Sequence, residues 1–212
     1  MSIASVSAIS FDLDDTLTDW WTGIASAAAA VGAPEIADRV REETWIRRDG
    51  VVVDRHHWRV LHEPAAFMAA ELVEPFLAAL DPPLFDDAIP ALEALRSRVK
   101  LALLTNNPYG ADVLDRHGLH VDVFKSVVVA DPSVRKPSPR AFAPLLDALA
   151  LAANENAHVG DSVLADVEGA LGAGLFPVWL NRWNDRWPLP RGVFRIESLS
   201  ELHDFTELDG RC

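Results

Sequence analysis

Phe11-Asp12-Leu13-Asp14-Asp15-Thr16-Leu17 follows directly on Ile3 to Ser10, an uncharged run rich in Ile, Val and Ala. Such a run reads as a fully buried strand of a parallel sheet. It delivers Asp12 and Asp14 at the strand's C-terminal end, which is where ligands bind in open α/β sheets. At a spacing of two, both carboxylates lie on the same side of an extended chain. They repel each other unless a cation or a shared proton stands between them. A magnesium site or an acid/base pair accounts for them; so does a turn or helix-cap cluster, since Asp and Thr favour both. A calcium loop fails on spacing. With Asp12 as the first position, Leu17 stands where such a loop needs Gly and Gly23 where it needs Glu.

At 212 residues the chain fits one large domain or a core with a small accessory domain. No apolar run approaches the roughly 18 residues of a membrane span, so no membrane partner is expected. The N-terminus has no basic region or cleavage site, and its apolar stretch leads into the aspartates. Cys212 is the single cysteine, so no intramolecular disulfide forms. These features fit a cytoplasmic protein. The net charge is −13 without a basic cluster, which argues against nucleic acid as a partner.

From Thr18 to about Asp86 the pattern is helical, without core strands. One helix runs from Asp19 or Trp20 to Val31, stopped by Gly32. A second opens at Pro34, carries Ile36, Val40 and Trp45 on one side, and ends before Gly50. A third starts at Pro64 and uses Phe67, Met68, Leu72, Phe76 and Leu80, with Pro75 expected to kink or divide it. Asp81-Pro82-Pro83 closes the segment as a stiff linker.

Beyond Ala88 helices and strands alternate. Helices are expected at Ala88 to Arg98, Tyr109 to His117, Pro139 to Leu149 and Val163 to Leu171. Strands are expected at Val99 to Leu104, Phe124 to Val129, Ala157 to Val159 and Phe176 to Leu180. The pattern is that of a doubly wound parallel sheet, a Rossmann-like α/β core. A short strand near Phe194 to Ile196 and the capping-box spacing Ser198-Leu199-Ser200-Glu201 precede a last helix.

Polar clusters recur where strands of this sheet end. They are Thr105-Asn106-Asn107, then Ala130-Asp131-Pro132 with Arg135-Lys136-Pro137, then Gly160-Asp161-Ser162 with Asp166. Singly, each has an ordinary reading as a cap or a solvated lysine. Together they bring Asp12, Asp14, Thr105, Lys136, Asp161 and Asp166 to one sheet edge.

With these four motifs in order, the chain strongly resembles the haloacid dehalogenase-like hydrolase superfamily, from Val6 to Leu202. The insertion point matches that family's helical cap of the first type. The resemblance implies a core of residues 1–17 and 87–212 and a helical cap domain of residues 18–86. It implies Asp12 as a nucleophile forming an aspartyl-phosphate and Asp14 as general acid and base. It implies Mg2+ held by the Asp12 carboxylate, the Asp14 backbone carbonyl and Asp161, with Asp166 an outer ligand or the residue that orients Lys136. Thr105, Asn106 and the nearby amides would hold the phosphoryl oxygens, and Lys136 would offset charge on Asp12 and the phosphate. Asp15 is expected to be structural.

An acid at Asp14 suits an alkoxide leaving group and therefore phosphoryl transfer; dehalogenases of the superfamily carry another residue there. The expected activity is a Mg-dependent phosphatase acting on a small-molecule phosphate monoester, of sugar-phosphate, phosphoglycolate or nucleoside-monophosphate type. The alternatives are a phosphomutase of the β-phosphoglucomutase kind and a non-catalytic phosphate-binding protein. A phosphonate hydrolase would need a cap lysine, and residues 18–86 contain none. A phosphoacceptor signalling domain fits less well, lacking such an insertion. A monomer or homodimer is expected. In the cap, Trp20, Trp21, Trp45 and Trp58 are candidates for packing or for the entrance. Arg47, Arg48, Arg55, His56 and His57 are candidates for a solvated face or for substrate contact. Arg182 and Trp183 are candidates for the core-side entrance or for loop packing.

Overall fold

The structure, a computed structural model, describes residues 6–48, 50–56, 59–119 and 123–202. The start of the first apolar run, His57, Trp58 and the helix expected beyond Glu201 lie outside these residues.

Six strands form one parallel sheet: β1 (Ala8–Phe11), β4 (Lys100–Thr105), β5 (Ser126–Val129), β6 (Asn156–Gly160), β7 (Phe176–Leu180) and β8 (Phe194–Ile196). Their spatial order is β5-β4-β1-β6-β7-β8. The chain therefore winds outward from β1 to β5, crosses back, and winds outward again on the other side. This reversal beside β1 opens a crevice at the C-terminal strand ends. Phe11 is level with Leu103 on one neighbour and Val159 on the other. The residues that follow, Asp12, the β4 end and Gly160-Asp161, consequently emerge side by side.

The two sheet faces follow from the period of two. Ile9, Phe11, Leu101, Leu103, Val159 and Val178 share one apolar cluster with Leu92 and Leu95 of α5 (Ala88–Leu95). Ala8, Ala102 and Leu104 face the other, packed with Phe142 and with Leu145 and Leu149 of α7 (Ala143–Leu149). Both faces are covered, which is why the strands carry almost no charge.

The inserted segment has its own apolar cluster, built on Trp20, Ile24, Val40, Phe67 and Phe76. Helix α1 (Trp20–Ala30) begins where Asp19 accepts from the Thr22 N–H at 2.9 Å. It ends before Gly32, which takes φ +72°. The chain enters and leaves the insertion at one crossing: a Cβ on Gly23 would lie 2.7 Å from Pro82 Cα. Only glycine lets the two linkers touch.

Two local expectations are corrected here. The second helix, α2 (Glu35–Thr44), stops at Thr44. Residues expected to extend it form an antiparallel ribbon of β2 (Trp45–Arg48) and β3 (Val51–Arg55), with Gly50 at φ +81° in the turn. Trp45, Ile46 and the three valines from Val51 favour strand, and Val53 is buried against Val163, Val167 and Trp179 of the core. Tertiary contact on one face outweighed the helical spacing. The third helix breaks before Pro75. A short turn, Pro64–Ala66, is separated from α4 (Ala70–Ala79) by Ala69 in extended conformation, and Pro75 lies within α4 without ending it. The other short helices are α3 (Arg59–His62), α6 (Gly110–Arg116) and α8 (Gly169–Ala173). Among the described residues no helix is long and apolar enough to cross a membrane.

Candidate active site

Asp12 is the first residue past β1, and its N–H still donates to Val159 O at 2.9 Å. The chain then coils tightly. Leu17 and Thr18 N–H groups both donate to Leu13 O, and Asp15 N–H donates to Thr18 O. Asp15 takes φ +58°, a conformation Asp tolerates better than most residues. Leu13 and Leu17 are fully buried beneath this coil, which fixes Asp12 and Asp14 toward the crevice. Arg182 braces the coil from the loop after β7 by donating to Thr16 O at 2.9 Å while pairing twice with Asp87.

A buried relay of charge backs Asp12. Lys136 Nζ lies 2.7 Å from Asp12 Oδ1 and 2.7 Å from Asp166 Oδ1, with its side chain only 1% exposed. Asp166 Oδ1 also meets His158 Nε2 at 3.1 Å, and Asp166 Oδ2 accepts from Ser162 N–H at 3.0 Å. Asp166 can only accept, so the ring carries its proton on Nε2, leaving Nδ1 to accept from Ser10 Oγ at 3.0 Å. Burial opposes the charge on both Lys136 and Asp166. Their attraction prevails: Lys136 is shifted up, and Asp166 is held below the usual carboxylate range by Lys136 and His158. Burial lowers His158, keeping it neutral.

Asp166 reaches this position because the turn over residues 163–168 is wound wide, Val167 N–H donating to Ser162 O five residues back. Such wide turns concentrate at functional sites. Gly160 permits it: a Cβ there would stand 2.1 Å from Asp166 Cγ.

The remaining acids sit in a different balance. Burial pushes Asp12 up to about 7, with Lys136 pulling the other way. Burial, then the charge of Asp12, holds Asp14 well above the carboxylate range. Asn107 Nδ2 donates to Asp14 Oδ1 at 3.1 Å, while Asn107 Oδ1 accepts from Tyr109 N–H at 2.9 Å. Asp161 is raised by burial and by Asp15, with Arg55 opposing.

The structure brings all the expected residues together. Asp12, Asp14, Thr105, Asn106, Lys136 and Asp161 line one cavity of about 30 Å³, and Asp166 lies directly behind Lys136. Thr105 Oγ1 accepts from Asn107 N–H at 3.0 Å, leaving its own proton to donate. Asn106 lines the cavity with its side chain already engaged. Its amide clasps the Lys136 backbone, donating to the carbonyl at 3.1 Å and accepting from the N–H at 3.0 Å. That contact sets the lysine loop against the β4 end.

Three contributors are not evident from the sequence: His158, Asn107 and Arg55 in contact with Asp161. A histidine inside an apolar strand was the available signal for the first; the others depend on loops meeting in space. Asp54, Arg55 and His56 of the ribbon form one wall of the cavity. Trp20 is buried in the insertion's own cluster, and Arg48 pairs with Glu168 in an exposed position. Arg182 and Trp183 pack the loop: Arg182 stacks over Phe85 at 3.9 Å, and Trp183 meets the same ring edge-on.

One carboxylate oxygen from each of Asp12, Asp161 and Asp166 falls within a 4.8 Å cluster. The donors are hard oxygens, with no thiol or thioether, and two of the three carboxylates are raised, chiefly by burial and despite Lys136 and Arg55 beside them. Such a set suits a hard divalent cation. Asp166 is the exception, since both its oxygens already accept from Lys136, His158 and Ser162. It fits the role of orienting Lys136.

The haloacid dehalogenase-like hydrolase family matches residues 6–174. The chain is 32% identical over 128 residues to N-acylneuraminate-9-phosphatase of Mus musculus, an alignment covering 56% of this chain and 50% of the relative. It spans about half the length of the curated relatives it matches. A solved phosphatase of the same superfamily from Thermococcus onnurineus superimposes with TM-score 0.68 at 28% identity, over 95% of this chain and 98% of the other. The L-2-haloacid dehalogenase of Xanthobacter autotrophicus superimposes with TM-score 0.73 at 19% identity, over 98% and 100%, which is a likeness of fold.

Proposed function

The chain belongs to the haloacid dehalogenase-like hydrolases, and from that premise we propose that it is a Mg-dependent phosphatase of small phosphate monoesters. The observation that carries this reading is the placement of Asp14. Its carboxyl lines the same cavity as Asp12 and is aimed by Asn107, and burial, then the charge of Asp12, raises its proton affinity. A protonated acid beside the nucleophile serves an alkoxide leaving group. Halide leaves without a proton. The phosphatase names of the relatives support the same choice.

In this reading an Asp12 oxygen attacks phosphorus, the bond to the leaving oxygen breaks, and Asp14 gives that oxygen its proton. Asp14 then takes a proton from water as the water attacks the aspartyl-phosphate, and the phosphorus–Asp12 bond breaks to release phosphate. Lys136, fixed by Asp166 and by the Asn106 clasp on its backbone, offsets charge on Asp12 and on the phosphoryl group. Thr105 donates its hydroxyl proton to a phosphoryl oxygen. Mg2+ held by Asp12, Asp161 and the Asp14 carbonyl would supply charge compensation for the in-line transfer.

Residues 18–86 would act as the cap that closes over this chemistry. Its wall at the site is Asp54, Arg55 and His56, with Asp54 and His56 paired at 2.6 Å. A charged wall favours a small hydrophilic leaving group, such as a polyol or acid, over an aryl alcohol.

The test is phosphate release from a panel of monoesters with Mg2+ or with EDTA, using Asp12→Asn as the control. Metal-dependent release that is lost in Asp12→Asn is the expected result. Isomerisation of a sugar phosphate without phosphate release would replace this reading with a mutase. No turnover by folded, metal-loaded protein across the panel would defeat it.

A further inference from the structure

Arg55 is the last residue of β3, yet its guanidinium lies in the core, with 5% of the side chain exposed. It contacts Asp161 Oδ2 at 3.3 Å and Asp185 Oδ2 at 2.8 Å. Trp183 lies 4.2 Å and Trp45 5.1 Å from its centre, one ring from the core and one from the ribbon. Arg55 Nε is buried with no hydrogen-bond partner. The Asp185 backbone is fixed by the Asn181 side chain, its N–H donating to Oδ1 at 2.8 Å and its carbonyl accepting from Nδ2 at 3.0 Å. The short contact is therefore to the carboxylate of a residue whose backbone is held, and the long one is to a candidate metal ligand.

We propose that Arg55 is a cap latch that competes with the divalent cation for Asp161, so that metal binding loosens the ribbon over the site. The inference rests on the metal site of the proposed function and adds a determinant of its affinity. A fixed guanidinium and a divalent cation on one carboxylate repel each other. Coupling between two such events is reciprocal: what the latch takes from metal affinity, the metal takes from the latch. The space available points the same way. The cavity, about 30 Å³, is small beside the roughly 300–1,000 Å³ of ordinary ligand pockets. A phosphate ester gains room when the ribbon withdraws, carrying Asp54, Arg55 and His56 with it. The unsatisfied Nε and the long Asp161 contact make this arrangement one that can be left.

The experiment uses the full chain stripped of metal. Mn2+ binding is followed by the loss of its free-ion paramagnetic signal and Mg2+ binding by calorimetry, while intrinsic tryptophan fluorescence reports on the rings flanking Arg55. Arg55→Met and Arg55→Gln, checked for cooperative unfolding, are expected to bind either ion about tenfold tighter, the lower part of the usual coupling range. Arg55→Lys keeps the charge and stays close to wild type. Metal addition changes the fluorescence of the wild type and leaves that of Arg55→Gln unchanged. Equal or weaker metal affinity in Arg55→Gln overturns the latch while leaving the metal site standing, as does equal tightening in Arg55→Lys. Failure of the wild-type chain to bind either ion removes the metal site and the latch together.

Discussion

Raising the pH of the metal-free protein from 5 to 8 should destabilise it, and Asp12 supplies the largest quantifiable part of that loss. The ordinary carboxyl value is 3.8, and burial brings Asp12 to about 7 in the fold. The folded state therefore binds the proton more tightly than the unfolded chain. The associated stability is complete below pH 3.8 and is lost as pH rises through 7. A tenfold difference in proton affinity corresponds to about 1.4 kcal/mol, so the whole loss is about 4 kcal/mol, and more than half of it falls between pH 5 and 8. For a chain of this size that is a fall in Tm of about 5–10 °C. Asp166 acts in the opposite direction but below this window, and Lys136 acts in the same direction but above it. His158, whose lowered value adds stability as pH rises from 5, is removed by comparison with Asp12→Asn. The assay is urea unfolding at four pH values in EDTA, for wild type and Asp12→Asn. The difference between them should grow with pH. Saturating Mg2+ should abolish most of the wild-type loss, because the cation replaces the proton at Asp12. A difference that stays constant from pH 5 to 8 refutes the assignment of a raised Asp12.

Gly160→Ala places a Cβ on Asp166; it should cost about 1–3 kcal/mol by overpacking and should reduce turnover of the folded fraction as Lys136 loses its support, measured by urea titration and steady-state kinetics. Asp14→Asn should cut phosphate release roughly 10²–10⁴-fold while leaving Mn2+ affinity within about twofold of wild type, because only its backbone carbonyl is assigned to the metal. Asp87→Ala removes acceptors from Arg182, Ser198 Oγ and Leu199 N–H; it should lower stability by about 1–3 kcal/mol with kcat at saturating substrate and metal essentially unchanged.

Asp12, Asp14, Lys136, Asp161 and Asp166 were legible in the chain because each lies within a few residues of an apolar strand or turn. Strand period and strand order then bring such ends to one edge. Asn106 was legible as a site residue, but the amide's actual partner, the Lys136 backbone 30 residues away, was not. Asn107 resembled a helix cap as much as an acid-orienting group. His158 stood out only as a polar intrusion in an apolar strand; its place in the line from Ser10 to Asp166 requires β1 and β6 to be neighbours. Trp45 has helical spacing with Ile36 and Val40, and nothing local announces that the chain leaves the helix at Thr44.

By itself the sequence determined what depends on local pattern: the buried strands, the doubly wound order, the insertion after the first strand, and the acids and lysine at strand ends. These follow from side-chain periodicity and from the chemistry of short segments. The tertiary structure decided what depends on distance between remote segments. It paired Trp45–Arg48 with Val51–Arg55 as a ribbon because Val53 finds an apolar seat on the core. It divided the carboxylates into one satisfied pair, Lys136 with Asp166, and a set raised chiefly by burial. It also carried Arg55 of the insertion to Asp161, a contact spanning 106 residues. Coulomb energies and desolvation depend on separation and burial, and neither quantity is written in residue order.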